Sequence, residues 1–413
     1  MRRLPVFLLM TIALLAARPL AAEAPHPLLI AHVTPSTGRF ALHSESDRRG
    51  AQMAVDEANA AGGVLGRPVV MISRDPSLDP AQAARVARDL ILRTHVAFMV
   101  GAISSDVAAA MSAVCQSYGV IFINTNSSAP SEAVENAHRT KFVFDANAAN
   151  YNRTLLKYAL DRTASKRVLL LTEDDAWGRS SAQASRPIIA ANGGRVVGQV
   201  MAPATLSDPA ALLAKIAALP SDVVAVNISG DNQIRLFSHI PAQQLRQRAW
   251  VVGEVDWEEL YPAPGTPRPL FGINWAWTFP TPGTRAFVAR YRARYGRSTL
   301  PYPGHITRTA YLATQALLQA VRQAGTTSTH AVIRQLEQYR ASPAEAMQDD
   351  AAVMDPLSHH LQQSTYIATW HPRTDHPELG LEVLGHVSPA ANFYEKERHT
   401  VLEPLSATPQ YTP

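Results

Sequence analysis

Several short loops hold the residue types that could bind a small molecule. Three come early: Thr34-Pro35-Ser36-Thr37-Gly38-Arg39-Phe40, Ala102-Ile103-Ser104-Ser105-Asp106 and Asn124-Thr125-Asn126-Ser127-Ser128-Ala129-Pro130. All are small, polar and rich in hydroxyls. Serine hydroxyls beside the free backbone N–H groups of a helix start suit a carboxylate or another acceptor-rich group. Plain helix capping is the competing account of any one loop, because serine, asparagine and aspartate cap helices with no ligand present. Three such loops, after the first, third and fourth strands, converge on one sheet edge and point to a shared site. The second half offers different chemistry. Glu173-Asp174-Asp175-Ala176-Trp177-Gly178, Ser229-Gly230-Asp231-Asn232 and Glu254-Val255-Asp256-Trp257 combine carboxylates with aromatic rings. Such a rim suits stacking together with recognition of an amine or of hydroxyls. Trp177 and Trp257 fall in loops, where a binding role competes evenly with packing; Trp250 and Trp370 read as core.

Patterns for catalysis are missing. There is no nucleophile elbow, metalloprotease helix, phosphate-binding glycine loop with lysine, or cysteine pair. Gly62-Gly63-Val64-Leu65-Gly66 follows a helix and precedes a strand, the wrong context for a dinucleotide. The histidines near the C-terminus (His359, His360, His371, His376, His386, His399) show no strong metal-ligand spacing. Neither an enzyme nor a cofactor nor a metal is expected.

The elements that must position these loops alternate. Leu28–Thr34 reads as a strand and Arg49–Asn59 as a helix, with Ala51, Ala54, Val55 and Ala58 on one face. Val69–Arg74 is the next strand. Asp79 and Pro80 start the following helix. Val96–Gly101, a helix over Asp106–Ser117 and Val120–Asn124 complete the first run. The pattern restarts with Val168–Thr172 and continues through Val196–Met201, Val223–Ile228 and Trp250–Gly253. Thr284–Ala324 reads as helical, and Ser364–Trp370 with Leu381–Val387 as late strands. Near-continuous apolar strands alternating with helices predict parallel sheets covered on both faces, and two such runs predict two α/β lobes. Ligands of open parallel sheets sit at the carboxyl ends of the strands, where all these loops fall.

The 413 residues, 46% hydrophobic and 17% charged, are ample for two domains. Arg2 and Arg3, the apolar run Val6–Ala17 and small residues to Ala22 read as a secretory signal cleaved before Glu23, too short to span a bilayer comfortably. Without Arg2, Arg3 and Arg18 the 38 basic residues fall to 35 against 34 acidic ones. The basicity belongs to the signal, and no nucleic-acid partner is implied. The single cysteine, Cys115, follows Val107 and Met111 on an apolar helix stripe and reads as a buried, inert thiol.

Longer stretches are familiar. Thr34–Gly38, the run from Arg49 to Arg67 (RGAQMAVDEANAAGGVLGR), Asp79–Ala84, Gly101–Ser105, Thr172–Gly178 and Ala191–Gly194 resemble the branched-chain amino acid-binding proteins, type I periplasmic receptors of ABC importers. The resemblance continues to Tyr302 and Thr309–Ala320 and covers nearly all the chain after the signal. It implies two Rossmann-like lobes with parallel central sheets, joined by three hinge crossovers. The expected division is 1–22 signal, 23–145 plus 278–345 first lobe, 146–277 plus 346–401 second lobe, and 402–413 a flexible tail. It also implies a periplasmic monomer that hands a small-molecule ligand to a permease in the inner membrane. Carried over by position, Ser104, Ser105, Ser127 and Ser128, with Asn126 in the same loop, would face the ligand's carboxylate and ammonium. His43 stands where the family often has an aromatic. Trp177 replaces a tyrosine that covers the ligand, and Ser229 replaces another. Glu254 matches the acid that meets the amine, with Asp256 the near alternative, and Trp257 adjoins it. These departures point away from leucine or isoleucine and toward the branch that binds aromatic acids and other carbon sources, which Asp355–Trp370 also resembles. A sensory binding module with the same fold is the alternative function.

Overall fold

A computed structural model describes residues 25–253, 269–370 and 380–405. In the first lobe the chain runs β1 (Leu28–Val33), α1 (Ala41–Ala60), β2 (Val69–Arg74), α2 (Pro80–Leu92), β3 (Phe98–Gly101), α3 (Ser105–Tyr118), β4 (Ile121–Asn124) and β5 (Lys141–Val143). The five strands form one all-parallel sheet in the order β2-β1-β3-β4-β5. β3 and β4 are buried along their whole length, as their largely apolar sequences require when helices cover both faces. Cys115 packs in this lobe with its thiol 3.8 Å from the Met99 sulfur, and burial pushes that thiol up to about 12. The burial expected for it is present.

The turn between α1 and β2 explains part of the RGAQMAVDEANAAGGVLGR run. The Asn59 side chain donates to the Val69 carbonyl and accepts from the Val69 N–H, each at 2.8 Å, so it pairs like a strand. Gly63 sits at φ +84°, where a Cβ would come within 2.1 Å of the Arg67 carbonyl oxygen.

The second lobe runs α4 (Ala148–Leu160), β6 (Arg167–Glu173), α5 (Ala176–Ala191), β7 (Arg195–Ala202), α6 (Pro209–Ala217), β8 (Val223–Asn227), α7 (Asp231–His239), α8 (Ala242–Gln247), β9 (Ala249–Val252) and β10 (Leu270–Ile273). The chain then returns to the first lobe. α9 (Pro282–Tyr295) is followed by α10 (His305–Ala324), which crosses α1 and covers the first sheet with Leu312, Ala316 and Leu317. The single helical segment expected over Thr284–Ala324 is thus two helices, broken at Gly296–Gly304, where Pro301 and Pro303 lack the N–H a helix needs. Next come α11 (Thr329–Leu336), β11 (Arg340–Ala341), α12 (Pro343–Ala346), β12 (Ala352–Met354) and β13 (Leu361–Gln362). Ala341, Ala346, Ala352, Met354 and Leu361 share the core of the first lobe. We therefore put the third crossover at Gln363 and Ser364, beyond the boundary after residue 345 read from the sequence.

β14 (Thr365–Trp370) and β15 (Leu381–Val387) complete a seven-stranded sheet, ordered β15-β14-β10-β9-β8-β6-β7. β14 runs antiparallel to both of its neighbours, β10 and β15, while the remaining strands pair in parallel. Trp250 and Trp370 lie in its core.

Where the three crossovers lie side by side, side chains rather than a sheet ladder join them. Asn274 donates to the Asp145 carboxylate at 2.7 Å, Gln363 to the Phe144 carbonyl at 2.6 Å, and Gln348 to the carbonyls of Asn274 and Ser364. The fully buried Arg308 donates to Gln363 Oε1 at 2.8 Å and to the Ala346 carbonyl. No helix among the described residues is long and apolar enough to cross a membrane.

Candidate functional site

The carboxyl ends of both sheets face each other across a cavity of about 50 Å³. A single water needs roughly 10–15 Å³ by this measure, so there is room for one compact organic molecule. Phe40, His43, Ile103, Ser104, Ser105, Asn126, Ser128 and Ile306 line it from the first lobe; Asp175, Trp177 and Ser229 line it from the second. A wider groove of about 860 Å³, edged by Arg39, Asp106, Asp174, Arg179, Asp231 and Arg235, shares Ser104 and Asp175 with the cavity and leads outward.

Each wall residue is placed by an element end. Ser104 precedes α3 with extended backbone, yet its side chain caps nothing, so the capping account fails for this loop. Its hydroxyl and the uncapped N-terminus of α3 are left for the cavity. Ser105 follows, and its Oγ takes a 3.0 Å hydrogen bond from Ser127. Ser127, expected on the wall, stands behind it: fully buried, it supports Ser105 and ties its own N–H to Asn124 Oδ1. The strand-end loop turns Asn126 and Ser128 inward and Ser127 away, an alternation that residue type alone does not reveal. Glu254, Asp256 and Trp257 lie outside the described residues.

Trp177, on the first turn of α5, reaches across the gap, and its indole N–H donates to Ser128 Oγ at 2.9 Å. The ring is 7% exposed, so it closes the cavity as a roof. His43, on the first turns of α1, is buried with its ring edge-on to Phe40, centroids 5.6 Å apart. α1 begins eight residues earlier than its apolar pattern predicts, and this extension carries His43 to the site. Phe40, Ile103, Ile306 and Asp175 complete the wall. Phe40, Ile103 and Asp175 stood in loops already singled out; Ile306 comes from the distant α10, and no local signal marked it.

Polar contacts hold the two lobes together around the cavity. Arg39 of the first lobe pairs with Glu173 at the end of β6 and with Asp175 at 2.8 Å. Glu173 also accepts from the Ser229 hydroxyl at 3.1 Å and from Asn232. Asp106 accepts from the Ala176 N–H at 3.2 Å, and Ser180 from the Ser131 N–H at 3.1 Å. Burial pushes the Glu173 carboxyl up to about 7, against the pull of Arg39 and helped by the charge of Asp175. A carboxyl raised by folding stabilises the folded protein below its unfolded value, and that contribution is lost as pH climbs through the folded value. Between about pH 5 and pH 7.5 the wild type should therefore lose on the order of 2 kcal/mol of stability relative to Glu173→Gln. Paired denaturation curves at the two pH values measure this; parallel curves would show that Glu173 is not held in a desolvated site. Among the described residues no group of three His, Cys, Asp or Glu is arranged to hold a metal ion.

A family model described as "Periplasmic binding protein" matches residues 27–375. The chain is 32% identical over 224 residues to the Leu/Ile/Val-binding protein BraC3 of Rhizobium johnstonii, an alignment covering 52% of this chain and 59% of BraC3. Its fold is similar to a leucine-, isoleucine-, valine-, threonine- and alanine-binding protein of Brucella ovis in a closed conformation, with TM-score 0.78 and 18% identity, covering 90% of this chain and 97% of the other. It is equally similar to an ABC transporter solute-binding protein of Rhodopseudomonas palustris in complex with 3,4-dihydroxybenzoic acid, with TM-score 0.77 and 17% identity, covering 88% and 98%.

Proposed function

Since the chain belongs to the periplasmic binding protein family, we propose that it is the substrate-binding component of an ABC transporter, catching a small organic acid or amino acid between its lobes. It is exported on its N-terminal signal and delivers the ligand to an inner-membrane permease. The observation that carries this reading is the cavity itself: hydroxyls and an uncapped helix start on one lobe and an indole roof on the other. Ser104, Ser105 and the N-terminus of α3 suit a carboxylate. Phe40, Ile103, Ile306 and Trp177 suit an apolar or aromatic body. The named ligands of the similar proteins, aliphatic amino acids in one and a dihydroxybenzoic acid in another, span that chemistry.

A thermal-shift screen of the purified protein against amino acids, aromatic and aliphatic acids, amides and urea tests the proposal. A ligand at a thousandfold excess over its Kd adds about 4 kcal/mol of stability, which displaces the melting curve by several degrees. A shift from an acid, lost when the acid is replaced by its amide, is the expected result. A panel without any shift would defeat the proposal.

A further inference from the structure

Beyond β15 the chain does not stay with the second lobe. Residues 388–405 lead back to the first, so the boundaries read from the sequence, second lobe to 401 and a tail from 402, miss a return. The opening part of this segment is held by the second lobe. Asn392 donates to Thr365 Oγ1 of β14 at 2.7 Å, and its carbonyl accepts from Asn150 Nδ2 of α4 at 2.6 Å. The closing part is held by the first lobe. The Thr400 hydroxyl donates to the Ala133 carbonyl at 2.9 Å, and Leu405 packs against the apolar cluster of Leu28, Ile30 and Val100.

Two side chains between these anchors sit where the lobes meet. The buried Tyr394 ring packs with Ala149 and Ala184 of the second lobe, and Val134 of the first lobe packs against the same group. Glu397 is fully buried. Its Oε1 accepts from Asn147 Nδ2 at 2.8 Å and meets His360 Nδ1 at 2.9 Å, while its Oε2 accepts from Gln362 Nε2 at 3.0 Å. The other ring nitrogen of His360 meets the Asp145 carbonyl at 2.7 Å. A carboxylate and a carbonyl only accept, so both ring nitrogens donate and the imidazole is charged. Burial opposes that charge, but Glu397 outweighs it and raises the ring above its ordinary value. His360 and Gln362 belong to the first lobe, and Asp145 and Asn147 to the first crossover. Lifting Glu397 away would strand a buried charge, so the segment is firmly seated.

Opening a two-lobed receptor turns one lobe away from the other about its crossovers. A segment fixed to both lobes must then stretch or let go. We infer that residues 388–405 are a fourth tether between the lobes, clamped by Tyr394 and Glu397, that resists opening and keeps the ligand-free protein near its closed form. The tether acts on the motion and not on the ligand, so it is independent of what the cavity captures.

Hydrogen exchange of the ligand-free protein tests this. The Ala176 N–H reaches across the gap to Asp106 and is freed when the lobes part, whereas Val100, buried within β3, exchanges only on wider unfolding. Tyr394→Ala and Glu397→Gln should each speed exchange at Ala176 by about tenfold or more relative to Val100. Thr400→Val combined with Leu405→Ser loosens only the anchor on the first lobe, and should act in the same direction if the buried substitutions disturb folding. A chain ending at Val387 should show the largest effect, with a larger radius of gyration by small-angle X-ray scattering. Exchange at Ala176 that keeps pace with Val100 in every variant, whether both stay slow or both quicken, would show that the segment supports general stability at most, and overturns the tether.

Discussion

At about pH 8, Arg39→Met should bind the captured acid on the order of a hundredfold more weakly than the wild type. Arg39 is the cation that meets Glu173 and Asp175 across the gap. Removing one partner of a buried ion pair costs about 3–5 kcal/mol, because the surviving charge stays out of water. Here that cost falls on the closed form, since an opened gap lets water reach both carboxylates. The effect should fade below about pH 6, where Glu173, with its carboxyl pushed up to about 7, takes a proton and needs no cation. Adding Glu173→Gln to Arg39→Met should recover much of the lost affinity, because the stranded charge is gone. Titration calorimetry of the single and double variants at the two pH values reads this directly. Undiminished binding by Arg39→Met at the higher pH would mean that the pair contributes nothing to closure.

A second large effect is expected where two helices touch. A Cβ on Gly50 of α1 would lie 2.1 Å from the Thr307 carbonyl oxygen and 3.0 Å from the Tyr311 nitrogen of α10. Both obstacles are backbone, so no side chain can swing away. Gly50→Ala must push the helices apart, at about 3 kcal/mol or more, the upper end of what overpacking usually costs. Alanine's better helix propensity, worth about 1 kcal/mol, offsets only part of that. The damage should reach the ligand as well, because α1 carries His43 and α10 carries Ile306. Urea denaturation with a parallel binding measurement checks both parts. A loss below about 1 kcal/mol would show that this crossing relaxes easily.

Much of this arrangement is legible in the residue order. The polar loops at Ser104, Asn126, Trp177 and Ser229 were identifiable because strand and helix periodicities locate sheet ends, and those residues do line one cavity. Resolution fails within a loop. Whether Ser127 or Asn126 faces inward depends on backbone angles that residue type does not set. The early start of α1 escaped notice because Ser44, Glu45, Ser46, Asp47 and Arg48 show no apolar stripe. Their turn is buried through pairing instead, Asp47 with His32 and the neighbouring Arg49 with Tyr291, Ser298 and the Leu300 carbonyl. Strand direction was equally hidden: Thr365–Trp370 reads as an apolar run whichever way it points. Ile306 belongs to the site only because α10 folds back on α1, a contact between residues far apart in the chain.

That return has a consequence for biogenesis. Leu28, Ile30, Val55 and Val100 cannot bury their outer faces until Leu312, Leu317 and Val321 have been synthesised, since these belong to one apolar cluster. A domain ordinarily folds once its own segment has emerged from the ribosome. Here the opening segment must wait for residues beyond the whole parallel part of the other half. Compaction of the opening segment is thereby delayed until most of the chain has been made.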